Sequence, residues 1–253
     1  MGVRRTVATF LGAAALLAEE PRAGACSCVP PRPEMVGIAA LASGVPRNAK
    51  IRAVVPHGGT LRLRERAGAN VETTERRSVL GEVDLVELTP RALLAKSALH
   101  EVYVPRPEPE APQALVIGAF TTGETTDDVA PTLDAVKAPR VFADDRAASS
   151  MCGTRATSVA VEATASDAQP APGVATLVGI WAERNGKLET DRPPDAFGLG
   201  SVTLGRSGLC DPTAFAFDPR GGPFTFLVAA FDVAGNTSAP RKVTVVLPAR
   251  SAR

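Results

Sequence analysis

The sequence predicts an all-β protein: two antiparallel β-sandwiches in tandem, carried behind an export signal. Three observations predict it. The closing stretch Phe224–Leu247 reads as two strands, with Phe224, Phe226, Val228 and Ala230 on one face and Val243, Val245 and Leu247 alternating likewise. Asp232, Gly235 and Asn236 supply the chemistry of one tight turn between them, so the pair reads as the last hairpin of a sandwich. Across the chain, 22 Gly and 22 Pro sit between short apolar runs, as turns do in all-β proteins. Residues 1–25 carry the parts of a secretory signal.

The signal comes first in the chain. Arg4 and Arg5 give a positive start, Thr6–Ala18 is an apolar run too short to span a bilayer, and Ala23-Gly24-Ala25 places small residues where a signal peptidase cuts. No later segment is apolar for long enough to cross as a helix. Cleavage after Ala25 makes Cys26 the first mature residue. This end resembles a bacterial lipoprotein signal, although Ala23 stands where Leu is usual. The resemblance implies a lipid anchor on Cys26, in the outer membrane or the periplasm; the plain secretory reading releases the protein to the medium. Residues 26–34 form a Pro-rich tether.

Composition narrows the partners. The formal net charge is +1, with both signs interspersed. No basic stripe is interleaved with aromatics, so nucleic acid is not an expected partner. One Trp and one Tyr argue against a platform that stacks sugars on exposed rings.

The first module is expected over residues 35–128. Ile51–Val55 reads as a strand and His57-Gly58-Gly59 as a turn. Leu61 and Leu63 alternate with Arg62 and Arg64, a half-buried strand. Gly68-Ala69-Asn70 turns the chain again. Val83–Leu88 is apolar on both faces and reads as a central strand, which Thr89-Pro90 ends. Arg91–Ala98 connects strands across the sandwich, and Leu99–Val104 and Leu115–Thr121 are two more strands. Val45-Pro46-Arg47-Asn48-Ala49, Leu88-Thr89-Pro90 with Leu93-Leu94 before Tyr103, and Phe120-Thr121-Thr122-Gly123 resemble the bacterial Ig-like domain of surface-layer proteins. That resemblance implies an Ig-like sandwich and an exported, non-catalytic role.

Thr125–Pro131 is a polar linker ended by Pro. The second module is expected over residues 129–253. Ser158–Ala163 alternates; Leu177–Glu183 and Leu188–Thr190 flank Asn185-Gly186, a hairpin signal; Ser201–Leu204 is a further strand. Ala229-Ala230-Phe231-Asp232 and Ala234-Gly235-Asn236-Thr237-Ser238 resemble the last hairpin of a fibronectin type III or related Ig-like sandwich, with Phe224 or Phe226 in place of the usual Tyr. Trp181 is expected in the core.

Four cysteines in an exported chain invite pairing. Cys152 and Cys210 both belong to the second module and are the natural disulfide, a loop-to-loop staple contributing roughly 4 kcal/mol by loop entropy. If Cys26 is lipidated, Cys28 is left odd.

Candidate chemistry is thin. His57 falls in a turn and His100 on a strand, and no metal-ligand spacing, nucleophile motif or phosphate-cradling loop appears. No enzyme activity and no cofactor are therefore expected. Asp127-Asp128 and Asp144-Asp145 read as solvated linker charge rather than as a calcium site between modules. Asp232 and Asn236 read as folding their turn. One alternative concerns the mature N-terminus. Cys26–Pro33 resembles the C-x-C-x-P-P-x-P start of tissue inhibitors of metalloproteinases, in which the N-terminal Cys chelates the target's zinc. The expectation is a non-catalytic envelope or secreted protein whose Ig-like modules bind an envelope component or an extracellular protein.

Overall fold

The computed structural model describes residues 31–66, 68–81, 83–105, 114–144, 156–184, 186–205, 215–218 and 220–249. The signal, Cys26, Cys28, Cys152 and Cys210 lie outside these residues. Among the described residues no helix is long and apolar enough to cross a membrane.

The protein is all-β. In the first half the strands are β1 (Glu34–Val36), β2 (Ala42–Val45), β3 (Ile51–Pro56), β4 (Arg62–Glu65), β5 (Thr73–Leu80), β6 (Val83–Pro90), β7 (Leu99–Val104) and β8 (Leu115–Thr122). They form two sheets, β1-β3-β6-β5 and β2-β8-β7-β4, antiparallel except where β2 runs parallel to β8. Ile51, Ala53 and Val55 from β3, Val86 and Leu88 from β6, Leu63, Val102 and Phe120 from the facing sheet share one core. With β1 and β2 counted together as strand A and β3–β8 lettered B to G, this is the Ig-like arrangement of strands A, B, E and D over C, F and G, the β2 half of A lying beside G.

The second half contributes β9 (Thr132–Val136), β10 (Arg140–Asp144), β11 (Ala156–Ser166), β12 (Leu177–Ala182), β13 (Ala196–Gly198), β14 (Ser201–Gly205), β15 (Gly222–Phe231) and β16 (Arg241–Leu247). One sheet is β10-β11-β14, with β9 also on β11; the other is β13-β12-β15-β16. Val159, Val161, Val202 and Leu204 from the first sheet meet Val178, Ile180, Phe226, Val228 and Val245 from the second. The molecule is thus a tandem of Ig-like/fibronectin-III-like sandwiches.

The two sandwiches dock by the outer faces of two sheets. β6 is buried at every residue from Val83 to Leu88. Val86 and Leu88 serve its own core; Val83 and Leu85 point the other way and, with Leu80 and with Val36 and Val54 of the same sandwich, pack on Phe197 of the second. β12 mirrors this. Val178, Ile180 and Ala182 face inward, while Leu177 and Trp181 join Ala229, Phe231 and Val36 of the first sandwich. Trp181 therefore lies between the modules rather than inside one. Gly179 allows it: a Cβ there would sit 2.5 Å from the Trp181 ring and 3.0 Å from Phe231. Those two rings meet edge to face at 6.0 Å.

Several other expectations are corrected. Glu34 is not tether but the first residue of β1, held by pairing with Val54. β15 and β16 are joined through residues 232–240 instead of a tight turn, because that connection reaches into the first module. Of the expected Asn185-Gly186 hairpin, Asn185 lies outside the described residues; Arg184 and Lys187 exchange backbone bonds at 3.0 and 2.9 Å, yet Leu188–Thr190 forms no strand. β12 takes β13 and β15 as neighbours instead. Asp144 ends β10 and is not in a linker.

Candidate functional site

The junction between the sandwiches gathers a network of side-chain hydrogen bonds and ion pairs from both modules. It begins at the linker. The Asn48 side chain donates to the Asp127 carbonyl at 2.8 Å and accepts from the Asp127 amide at 2.9 Å. Asn236 of the second module donates to the same carbonyl at 3.0 Å. A segment that reads as a polar connector is thus gripped from both sides, and Asp127 is buried.

Beside it, the β15–β16 connection folds on Asp232 as its composition implies. One carboxylate oxygen accepts the Gly235 and Asn236 amides at 2.7 and 2.9 Å, and the other accepts the Asn236 side chain at 2.9 Å. The turn projects Val233 into the core of the first sandwich, where it is 3% exposed. The backbone follows: Lys50 N–H donates to the Val233 carbonyl at 2.8 Å, and Arg52 donates to the Asp232 carbonyl at 2.8 Å.

Asp127 and Asp232 are joined by Asp167, and one carboxylate oxygen from each lies within 4.8 Å of the others. These three, not Asp127 with Asp128, are the residues that could offer oxygens to a cation. Burial raises the Asp127 carboxyl, and the charges of Asp167 and Asp128 add to this against the Val129 amide. Burial raises Asp232 as well, with the Asp127 charge, against the turn donors. Asp84 goes the opposite way. Burial alone would raise it, but the Gly58 amide, Arg77 and His57 more than offset this and hold it below the ordinary value. His57 sits in its turn with Nδ1 3.0 Å from Asp84. His100, on β7, is fully buried and stacks on Phe120 at 5.4 Å. Burial lowers it, against the Glu65 charge and the Ala95 carbonyl.

Next to the acidic cluster opens a cleft of about 400 Å³ with walls from both sandwiches. Arg52, Glu87 and Arg76 stand in one row across β3, β6 and β5. Arg52 is bonded to Glu87 at 2.8 Å and lies over the Phe231 ring at 4.9 Å. Arg76 reaches across to the Asp191 carbonyl at 2.7 Å. Opposite, buried Asp195 accepts the Ala182 amide at 2.8 Å and takes both Arg192 amino groups at 3.0 and 2.7 Å. This fixes the loop so that the Arg192 carbonyl accepts the Trp181 indole N–H at 2.7 Å.

Sequence reasoning missed this cleft. Arg76 lies on a polar strand with no alternation to reveal it, and Thr190–Pro194 is loop. The available signal was that both Val83–Leu88 and Leu177–Ala182 are apolar on two faces, so each outer face needed a cover.

No protein family and no curated protein matches the chain. Among solved structures, the N-terminal Ig1-2 module of the Drosophila receptor protein tyrosine phosphatase DLAR is 12% identical, covers 84% of this chain and 97% of its own, and has a TM-score of 0.29. Immunoglobulin domains 1–4 of Sidekick-1 are 14% identical, with 85% of this chain and 50% of that one covered and a TM-score of 0.28. Fibronectin(III)-like modules of Clostridium thermocellum CbhA are 11% identical, with 86% and 95% covered and a TM-score of 0.23. At scores this low, none of them bears on what this chain does.

Proposed function

We propose that this chain is a non-catalytic protein of a bacterial cell envelope, held by lipid on Cys26, that presents two docked Ig-like modules for structural or adhesive binding to another envelope or extracellular protein. The observation that carries the reading is the junction. Two sandwiches bury sheet faces against each other and clamp their linker through Asn48 and Asn236, which suits display in a fixed orientation. Binding specificity then belongs to loops and clefts at the module ends and junction. The resemblance of the first module to surface-layer Ig-like domains supports the same address.

The test is the mass of the mature N-terminal peptide from the native host. A diacylglyceryl or triacyl adduct on Cys26 is the expected result. An unmodified Cys26 amine, with Cys26 and Cys28 both oxidised, overturns the lipid anchor. Inhibition of a metalloprotease by that free N-terminus would then replace the display reading.

A further inference from the structure

We infer that the cleft between the sandwiches binds an acidic segment of a partner polypeptide, with one Asp or Glu carboxylate received by Lys50 and Arg76. The inference rests on reading the chain as a binding protein and names the chemistry of what it binds.

Four cationic side chains line the cleft, and two of them are already spent. Arg52 is paired with Glu87, and Arg192 with Asp195. Lys50 and Arg76 have no carboxylate within ion-pair distance among the described residues. Arg76 holds only a neutral carbonyl, that of Asp191, and keeps donors free. Lys50 is placed, not loose. Its backbone is tied to Val233, and its side chain lies across Gly235, where a Cβ would sit 2.5 Å from the ammonium nitrogen and 2.6 Å from the carbon that bears it. Gly235 has φ +90, so the bare backbone under the lysine comes with the turn itself. Two unneutralised cations on one sheet of the first sandwich, beside β3 and on β5, stand at the edge of one concavity whose other wall comes from the second sandwich, and form a receptor for a single negative group.

The chemistry around them selects a peptide carboxylate. Asp191 also lines the cleft with no cation within ion-pair distance of its carboxylate among the described residues, and its charge disfavours a dianion such as phosphate. An anionic sugar would want an open aromatic face, but Trp181 is only 2% exposed and its N–H is taken. What remains is a rim of Pro193 and Pro194 with the hydroxyls of Thr190 and Thr237, surfaces that suit an extended backbone.

Trp181 is the chain's one tryptophan and lines the cleft, so its emission reports occupancy directly. The mature protein is titrated with N-acetylated, C-amidated oligoglutamate, and in parallel with inorganic phosphate and with an oligouronate. The expected result is a saturable emission change with the peptide that weakens as salt is raised. Lys50→Gln and Arg76→Gln each weaken binding about tenfold, Lys50→Arg retains it, and Lys242→Gln leaves it unchanged. Circular dichroism confirms that the variants fold, and the salt series on the unaltered protein stands if one does not. No saturable change, binding in Lys50→Gln and Arg76→Gln as tight as in the unaltered protein, or phosphate or oligouronate binding as tightly as the peptide overturns the inference. If the peptide fails to bind while Cys26 carries lipid, the envelope reading survives without this site. If the peptide is bound and cleaved, the site survives and the non-catalytic reading falls.

Discussion

Asp127 and Asp84 are both buried carboxylates, yet they respond to pH with opposite signs. A raised carboxyl pKa means that the folded state binds more protons than the unfolded chain between 3.8 and the raised value. Ionised Asp127 therefore costs stability at neutral pH, and the cost disappears as pH falls towards 3.8. Asp127→Asn keeps an oxygen for the Val129 amide and removes the charge. It is expected to stabilise by about 1 kcal/mol at neutral pH, with the difference from wild type shrinking in acid, as thermal melts across pH will read. Asp84 has a lowered pKa, so its contribution is full above 3.8 and is lost as pH falls through the folded value. Asp84→Asn is expected to cost about 2 kcal/mol at neutral pH and progressively less below pH 3.8. The sequence made Asp232 legible, because Asp-x-x-Gly-Asn is turn chemistry wherever it occurs. It made Asp127 look like solvated linker charge. Neither Asp167 nor Asn48 is near Asp127 in the chain, and local pattern carries no trace of such partners.

Strands whose two faces differ were legible, and so was β6, whose faces are both apolar. Polar strands were not. β5 reads TTERRSVL, with neither alternation nor a turn to announce it, and takes its place by pairing along β6 from Thr73 opposite Pro90 to Leu80 opposite Val83. β13 is three residues long and depends on β12 for its register. β6, which its two apolar faces mark as central, is also covered from outside by another module. Leu85 tests the difference. It lies on the outer face of its own sandwich, where truncation in a free-standing domain would change stability by no more than about 0.5 kcal/mol. In the docked molecule Leu85→Ala is expected to cost about 2–5 kcal/mol, like a core position, in chemical denaturation. A cost near zero would mean that the modules part in solution.

The whole molecule was legible as two modules and a linker but not as a docked pair. Module order came from turn spacing and hairpin chemistry, which are local. Docking depends on Val36 packing against Leu177, Trp181, Ala229 and Phe231 and on Phe197 packing against Leu80, Val83 and Leu85, and neither contact has a periodicity of its own. The most consequential of these contacts is Val233, a residue of the second sandwich that completes the interior of the first. A first sandwich expressed by itself keeps every one of its strands but has a vacancy where that side chain belonged. The halves are therefore not interchangeable beads, each melting on its own schedule. Scanning calorimetry of the intact protein should show one transition whose van't Hoff and calorimetric enthalpies agree. Two separated transitions would show that the first sandwich does not need the borrowed valine.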